Sequence, residues 1–133
     1  MTAKTALFVD DEISILQSIK RTLWNSGFEI ILCTSPIEAL NILKSKSVQV
    51  IVTDYRMPEM TGAEFLNNAQ MLCPGSVRMV LSAYADSRVI GELIEEGHIF
   101  KFLLKPWDNA ELKAAVLDAF KHYGRLQEMI NAA

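Results

Sequence analysis

Cysteine is scarce in this sequence, with only Cys33 and Cys73, far apart and outside any CxxC pair or Cys/His cluster. That excludes the ligand spacing of a structural zinc, and both thiols are expected to be small buried hydrophobes rather than a redox pair. Histidine is equally sparse: neither His98 nor His122 has a second ligand at i+4, and neither is expected to accept phosphate. No long run of one charge occurs, and the formal net charge is -3. Nothing therefore suggests disorder or a nucleic-acid-binding surface, and no direct contact with nucleic acid is expected. Long apolar runs are missing too. "MTAKTALFV" meets its acids too soon for a signal peptide, and no later stretch reaches the length of a membrane span. The cytoplasm is the expected compartment, with no membrane partner.

What is present suits one ordinary domain. The chain has 133 residues, half of them hydrophobic, enough for a core without disulfides or a structural metal. Five short runs rich in β-branched residues, "TALFV", "FEIILC", "VQVIVT", "VRMVLS" and "HIFKFLL", read as strands. Between them lie stretches of helical spacing. "EISILQSIKRTLWNSG" puts Ile13, Leu16, Ile19 and Leu23 on one face, with Gly27 as a stop, and "SPIEALNILKSK" has Ser35 as N-cap, Pro36 at the first helical position and Ile37, Leu40 and Leu43 inward. "AEFLNNAQML" and "DSRVIGELIEEG" supply two more helices. The last begins after Pro106 and is long and amphipathic, with Leu112, Val116, Phe120, Tyr123, Leu126 and Ile130 stepping by three or four despite Gly124.

Strict alternation of strand and helix predicts an α/β fold, a doubly wound parallel sheet with helices on both faces. Ligands bind such sheets outside the carboxyl ends of the strands, where the strand order reverses. The first strand ends at Asp10 and Asp11, the third at Asp54, the fourth at Ser82 and the fifth at Lys105. If the first strand lies beside the third, three carboxylates converge, flanked by a hydroxyl and an ammonium. Clustered carboxylates suppress one another's ionisation unless a cation compensates, and magnesium, held by one or two carboxylates plus a phosphoryl oxygen, matches this donor count. Lys105 then reads as a point charge on a phosphate, Ser82 as a donor to another of its oxygens, and a central aspartate as a nucleophile toward phosphorus. Spacing alone does not say which aspartate attacks.

"FVDDE", "VTDYRMPEMTG", "LSAYAD" and "FLLKPWD" together resemble the receiver domain of two-component response regulators, over roughly residues 4 to 125. The resemblance implies a flavodoxin-like (βα)5 fold with strand order 2-1-3-4-5. It implies that Asp54 accepts a phosphoryl group from a histidine kinase or phosphotransfer protein, that Asp10 and Asp11 hold Mg2+ together with Asp54 and the backbone carbonyl of Arg56, and that Lys105 contacts the phosphoryl group. Pro106 follows in a peptide bond that this family often holds cis. Ser82 and Phe102 fall at the switch positions, so phosphorylation is expected to remodel the face formed by the fourth helix, fifth strand and fifth helix. Arg56 and Tyr84 flank the phosphate entrance and are expected to slow self-dephosphorylation.

An aspartate-nucleophile phosphatase of the haloacid dehalogenase type is the alternative, but it requires a DxD pattern at the first strand, which "DDE" lacks. A flavin-binding module would need a loop rich in Ser, Thr and Gly where "VDDEISI" stands. The module is thus expected to signal rather than to act as an enzyme. Residues 1–125 are expected to form the receiver, and 126–133 an extension of the last helix toward an output domain, either a transcription activator or an HD-type cyclic-di-GMP phosphodiesterase. A homodimer through the last helix is a further expectation, against which Gly124 and Lys121 argue. Trp107 is expected to dock the last helix, and Met57 and Met60 to pack a loop. Glu12 is expected in the first turn of the first helix, where the dipole favours it.

Overall fold

A computed structural model describes residues 4–83, 88, 91, 93, 94 and 99–132. Five parallel strands, β1 (Thr5–Val9), β2 (Glu29–Cys33), β3 (Val50–Thr53), β4 (Val77–Ser82) and β5 (Lys101–Leu104), form one sheet in the order β2-β1-β3-β4-β5. This is the flavodoxin-like arrangement expected. Helices α1 (Ile13–Thr22), α2 (Pro36–Ser45) and α3 (Gly62–Leu72) connect the first four strands, and a C-terminal helix runs from Asn109 to Ala132. The fourth predicted helix, 86–97, falls mostly outside the described residues; Arg88, Gly91, Leu93 and Ile94 within it are helical.

The strands are apolar on both faces because both are covered. Ala6, Phe8, Val50, Val52, Met79 and Leu81 pack with Leu16 and Ile19 of α1 and with Leu112 and Val116 of the C-terminal helix. Leu7, Val9, Ile51 and Val80 point the other way, to Ala39 and Leu43 of α2 and Phe65 and Leu66 of α3. Trp107 packs, half-buried, against the first of these clusters, which includes the C-terminal helix, and Met57 and Met60 pack against the second.

Local chemistry sets the helix ends. The Ser35 hydroxyl accepts from the Glu38 amide at 3.2 Å, with Pro36 opening α2. Thr61 and Glu64 form a reciprocal capping box at the start of α3. Some details differ from the sequence reading. Helix α1 stops at Thr22 rather than near Gly27, because Asn25 and Gly27 both take positive φ and turn the chain into β2 earlier. Ile13 and Ile37 are exposed, and the buried positions are instead Leu16 and Ile19 in α1 and Pro36, Ala39 and Leu43 in α2. Glu12 is the N-cap of α1 rather than a first-turn residue.

Candidate functional site

The strand order reverses between β1 and β3, and the ladder carries Asp10 and Asp54 to that point. The Asp10 amide donates to the Cys33 carbonyl at 3.1 Å, and the Asp54 amide to the Val9 carbonyl at 2.9 Å, each extending the pairing one residue past the strand. Both aspartates are buried, whereas Asp11 is exposed at the rim. One carboxylate oxygen from each of Asp10, Asp11 and Asp54 lies within 4.8 Å of the others. The same device works on the other flank: the Lys105 amide donates to the Ser82 carbonyl at 2.9 Å.

The Lys105 side chain, carried just past the end of β5, meets the carboxylates that follow β1 and β3. Its Nζ lies 2.6 Å from Asp10 Oδ2 and 3.4 Å from Asp54 Oδ2. Burial pushes the Asp10 carboxyl above its ordinary value; the Lys105 hydrogen bond and charge and the Glu12 amide oppose that without reversing it. Burial acts downward on Lys105, but the hydrogen bonds and charges of Asp10 and Asp54 outweigh it and hold the ammonium above its ordinary value.

Backbone groups fix the carboxylates. Glu12 N–H donates to Asp10 Oδ1 at 2.9 Å, and Tyr55 N–H donates to Asp54 Oδ1 at 2.8 Å. The Thr53 hydroxyl donates to the Asp54 carbonyl at 2.9 Å. None of these donors stands out in the sequence, since any residue has an amide and Thr53 looks like one more strand residue. The donor set of the trio is all oxygen and anionic, partly buried and open to solvent at Asp11, which suits a hard, oxygen-seeking divalent ion such as Mg2+ that retains waters.

Ser82 is fully buried at the end of β4, one strand from Asp54. Phe102 is half-buried on β5, paired in register with Val80, and packs toward the α2–α3 side. Arg56 is exposed in the loop after Asp54. The Lys105–Pro106 peptide bond is cis, as the resemblance implies. Tyr84 and His98 lie outside the described residues. Asp10, Asp11, Asp54 and Lys105 thus meet, with Ser82 beside them and Phe102 farther along the sheet. Among the described residues no helix is long and apolar enough to cross a membrane.

Comparison with known proteins places this geometry. Residues 6–117 match the family model of the response regulator receiver domain. The hydrogenase transcriptional regulatory protein HoxA of Cupriavidus necator is 37% identical over 125 residues, covering 94% of this chain and 26% of HoxA. Among solved structures, one described as adenylate cyclase from Rhodopirellula baltica superposes with a TM-score of 0.91 at 34% identity, covering 98% of this chain and 96% of that one. The signal receiver domain of an HD domain-containing protein from Pseudomonas fluorescens Pf-5 superposes with a TM-score of 0.89 at 28% identity, covering 96% and 94%. The chain spans about a quarter of the length of the curated relatives it matches. It belongs to the response regulator receiver domain family.

Proposed function

We propose that this receiver takes a phosphoryl group from a histidine kinase or phosphotransfer protein onto Asp54 and passes the signal by a shift between two arrangements of its surface. The observation that carries this reading is the Lys105 ammonium set between the two buried carboxylates, 2.6 Å from Asp10 and 3.4 Å from Asp54. Asp10, Asp11 and Asp54, with the backbone carbonyl of Arg56, would hold Mg2+. When bound, the ion supplies positive charge to the phosphoryl oxygens during transfer.

Asp54 Oδ1 is engaged by the Tyr55 amide. Oδ2, the oxygen facing Lys105, therefore forms the new P–O bond while the P–N bond of the donor phosphohistidine breaks and the imidazole nitrogen keeps the electron pair. Lys105 then exchanges a carboxylate partner for a phosphoryl oxygen, and the Ser82 hydroxyl donates to another. Drawing Ser82 inward favours a different packing of Phe102, and the face of the fourth helix, fifth strand and C-terminal helix changes with it. A partner or an output module reads that face.

The transcriptional regulatory protein HoxA supports a transcription-regulating output and the HD domain-containing protein of Pseudomonas fluorescens an HD-type one; one receiver shape serves several outputs, so the choice rests outside the fold. In this reading the receiver occupies residues 1–125, and 126–133 lead toward the output. Incubation with magnesium and acetyl phosphate should add one phosphoryl mass, and Asp54→Asn should abolish it. A phosphoryl group that persists in Asp54→Asn, or none in the parent protein, overturns the assignment.

A further inference from the structure

The end of the sheet opposite Asp54 carries a second feature that phosphoryl chemistry does not use. Strand β2 is an edge. The Glu29 amide donates to the Lys4 carbonyl at 2.8 Å and the Cys33 carbonyl accepts from Asp10 N–H at 3.1 Å, so both residues direct their backbone toward β1. Alternate residues of a parallel strand bond to the same neighbour. Ile30 and Leu32 therefore turn their N–H and C=O groups away from the sheet.

Their half-buried side chains line a groove of about 710 Å³ between β2 and the end of α1. Trp24, 76% exposed, stands in the same lining. Lys4 and Lys20 contribute two ammonium groups, and the acid in the lining, Glu29, is held by Lys46 at 2.9 Å. The Ser26 hydroxyl, also in the lining, is shielded from solvent and finds no hydrogen-bond partner among the described residues. Strand amides and positive charge that find no partner among the described residues, an apolar floor and an exposed indole recur where an extended chain adds to a sheet edge.

We propose that this groove docks an extended acidic segment of a partner protein, laid alongside β2. An apolar side chain of the segment sits between Trp24 and the Ile30–Leu32 floor, and carboxylates two residues to either side meet Lys4 and Lys20, since alternate residues share a strand face. A second copy of this chain fits poorly, because its own β2, "EIILC", offers one acid that Lys46 already holds.

The test is an amide-resolved NMR titration of the 15N-labelled protein with capped pentapeptides Glu-Thr-X-Thr-Glu, X being Leu, Ile, Val or Phe, and with Lys-Thr-Leu-Thr-Lys. At least one acidic peptide should give saturable shifts at the Ile30 and Leu32 amides and the Trp24 indole, with Kd near or below about 1 mM. The lysine peptide should bind about tenfold more weakly, as should the acidic peptide to Trp24→Ala or to the Lys4→Glu, Lys20→Glu double variant. Acetyl phosphate labelling should be unchanged in both variants, and the double variant keeps the test open if Trp24→Ala fails to fold. Unmoved Ile30 and Leu32 amides with every acidic peptide, or equal response to the lysine peptide, overturn the proposal. So do shifts at these amides that follow protein concentration alone, which would assign the groove to a second copy.

Discussion

A methyl group on Gly62 would stand 2.5 Å from the backbone oxygen of Asp54 and 2.8 Å from Cα of Tyr55. The start of α3 thus presses directly on the backbone that carries the proposed acceptor, and the Gly62 amide donates to the Tyr55 carbonyl at 2.6 Å. Gly62→Ala has no flexible neighbour to displace. It should lower stability by about 1–3 kcal/mol in chemical denaturation and slow acetyl phosphate labelling. A methyl group added at Gly124, in the C-terminal helix, would meet nothing within 4 Å. Gly124→Ala should instead raise stability by about 0.5–1 kcal/mol. Equal effects of the two substitutions would contradict the steric argument.

Lys105 is the counter-charge of the acidic trio when no metal is bound. In chelator, Lys105→Met should destabilise by about 3 kcal/mol, because it leaves a buried carboxylate pair without a cation. Magnesium should then raise the melting temperature of the variant more than that of the parent protein, and Asp11→Ala should weaken the magnesium response more than Glu12→Ala. Identical magnesium shifts in parent and Lys105→Met would show that ammonium and ion do not compete for the same charge.

Asp10 supplies a signed pH dependence. Its folded-state pKa is raised, chiefly by burial, so its contribution to stability is present below the unfolded value and is lost as pH rises through the folded one. The Lys105 shift, also upward, acts only in the alkaline range, where that ammonium begins to deprotonate. In chelator, the stability of Asp10→Asn relative to the parent should therefore increase from about pH 3.5 to pH 7. Urea denaturation at the two pH values measures it, and a flat or opposite trend would refute the burial argument.

Arg56 is exposed two residues past Asp54, at the proposed path of attacking water. Arg56→Ala, and separately Tyr84→Ala, should shorten the aspartyl phosphate half-life, read by loss of the phosphoryl mass after donor removal. An unchanged half-life in both would remove them from the entrance.

Burial pushes both thiols up, and Cys33 also donates to the Ser35 carbonyl at 3.2 Å. In Cys73→Ser, the remaining Cys33 should react with a disulfide reagent at neutral pH only at the rate of global opening. Fast labelling would mean that the end of β2 is less enclosed than its burial indicates.

Much of the fold was legible because its signals are local. Short runs rich in β-branched residues located the strands and period-3.6 spacing most of the helices, Ser35 and Pro36 marked the start of α2, and acids at two strand ends announced a cation site. Periodicity misplaced Ile13 and Ile37 because which residues of a helix are buried depends on what packs against it, and in the folded chain those are Leu16 and Ala39 rather than these two. It overran α1 because the positive φ of Asn25 is a choice of the folded chain.

By itself the sequence determined that five strands alternate with helices and that Asp10, Asp11, Asp54, Ser82 and Lys105 stand at their carboxyl ends. Only the tertiary structure decided that the Lys105 ammonium sits 2.6 Å from Asp10 and that Gly62 abuts Asp54. The difference is physical: hydrophobic periodicity is written within one element, whereas the reach of a side chain and the approach of two backbones arise between residues far apart in the chain, and are settled by packing them together.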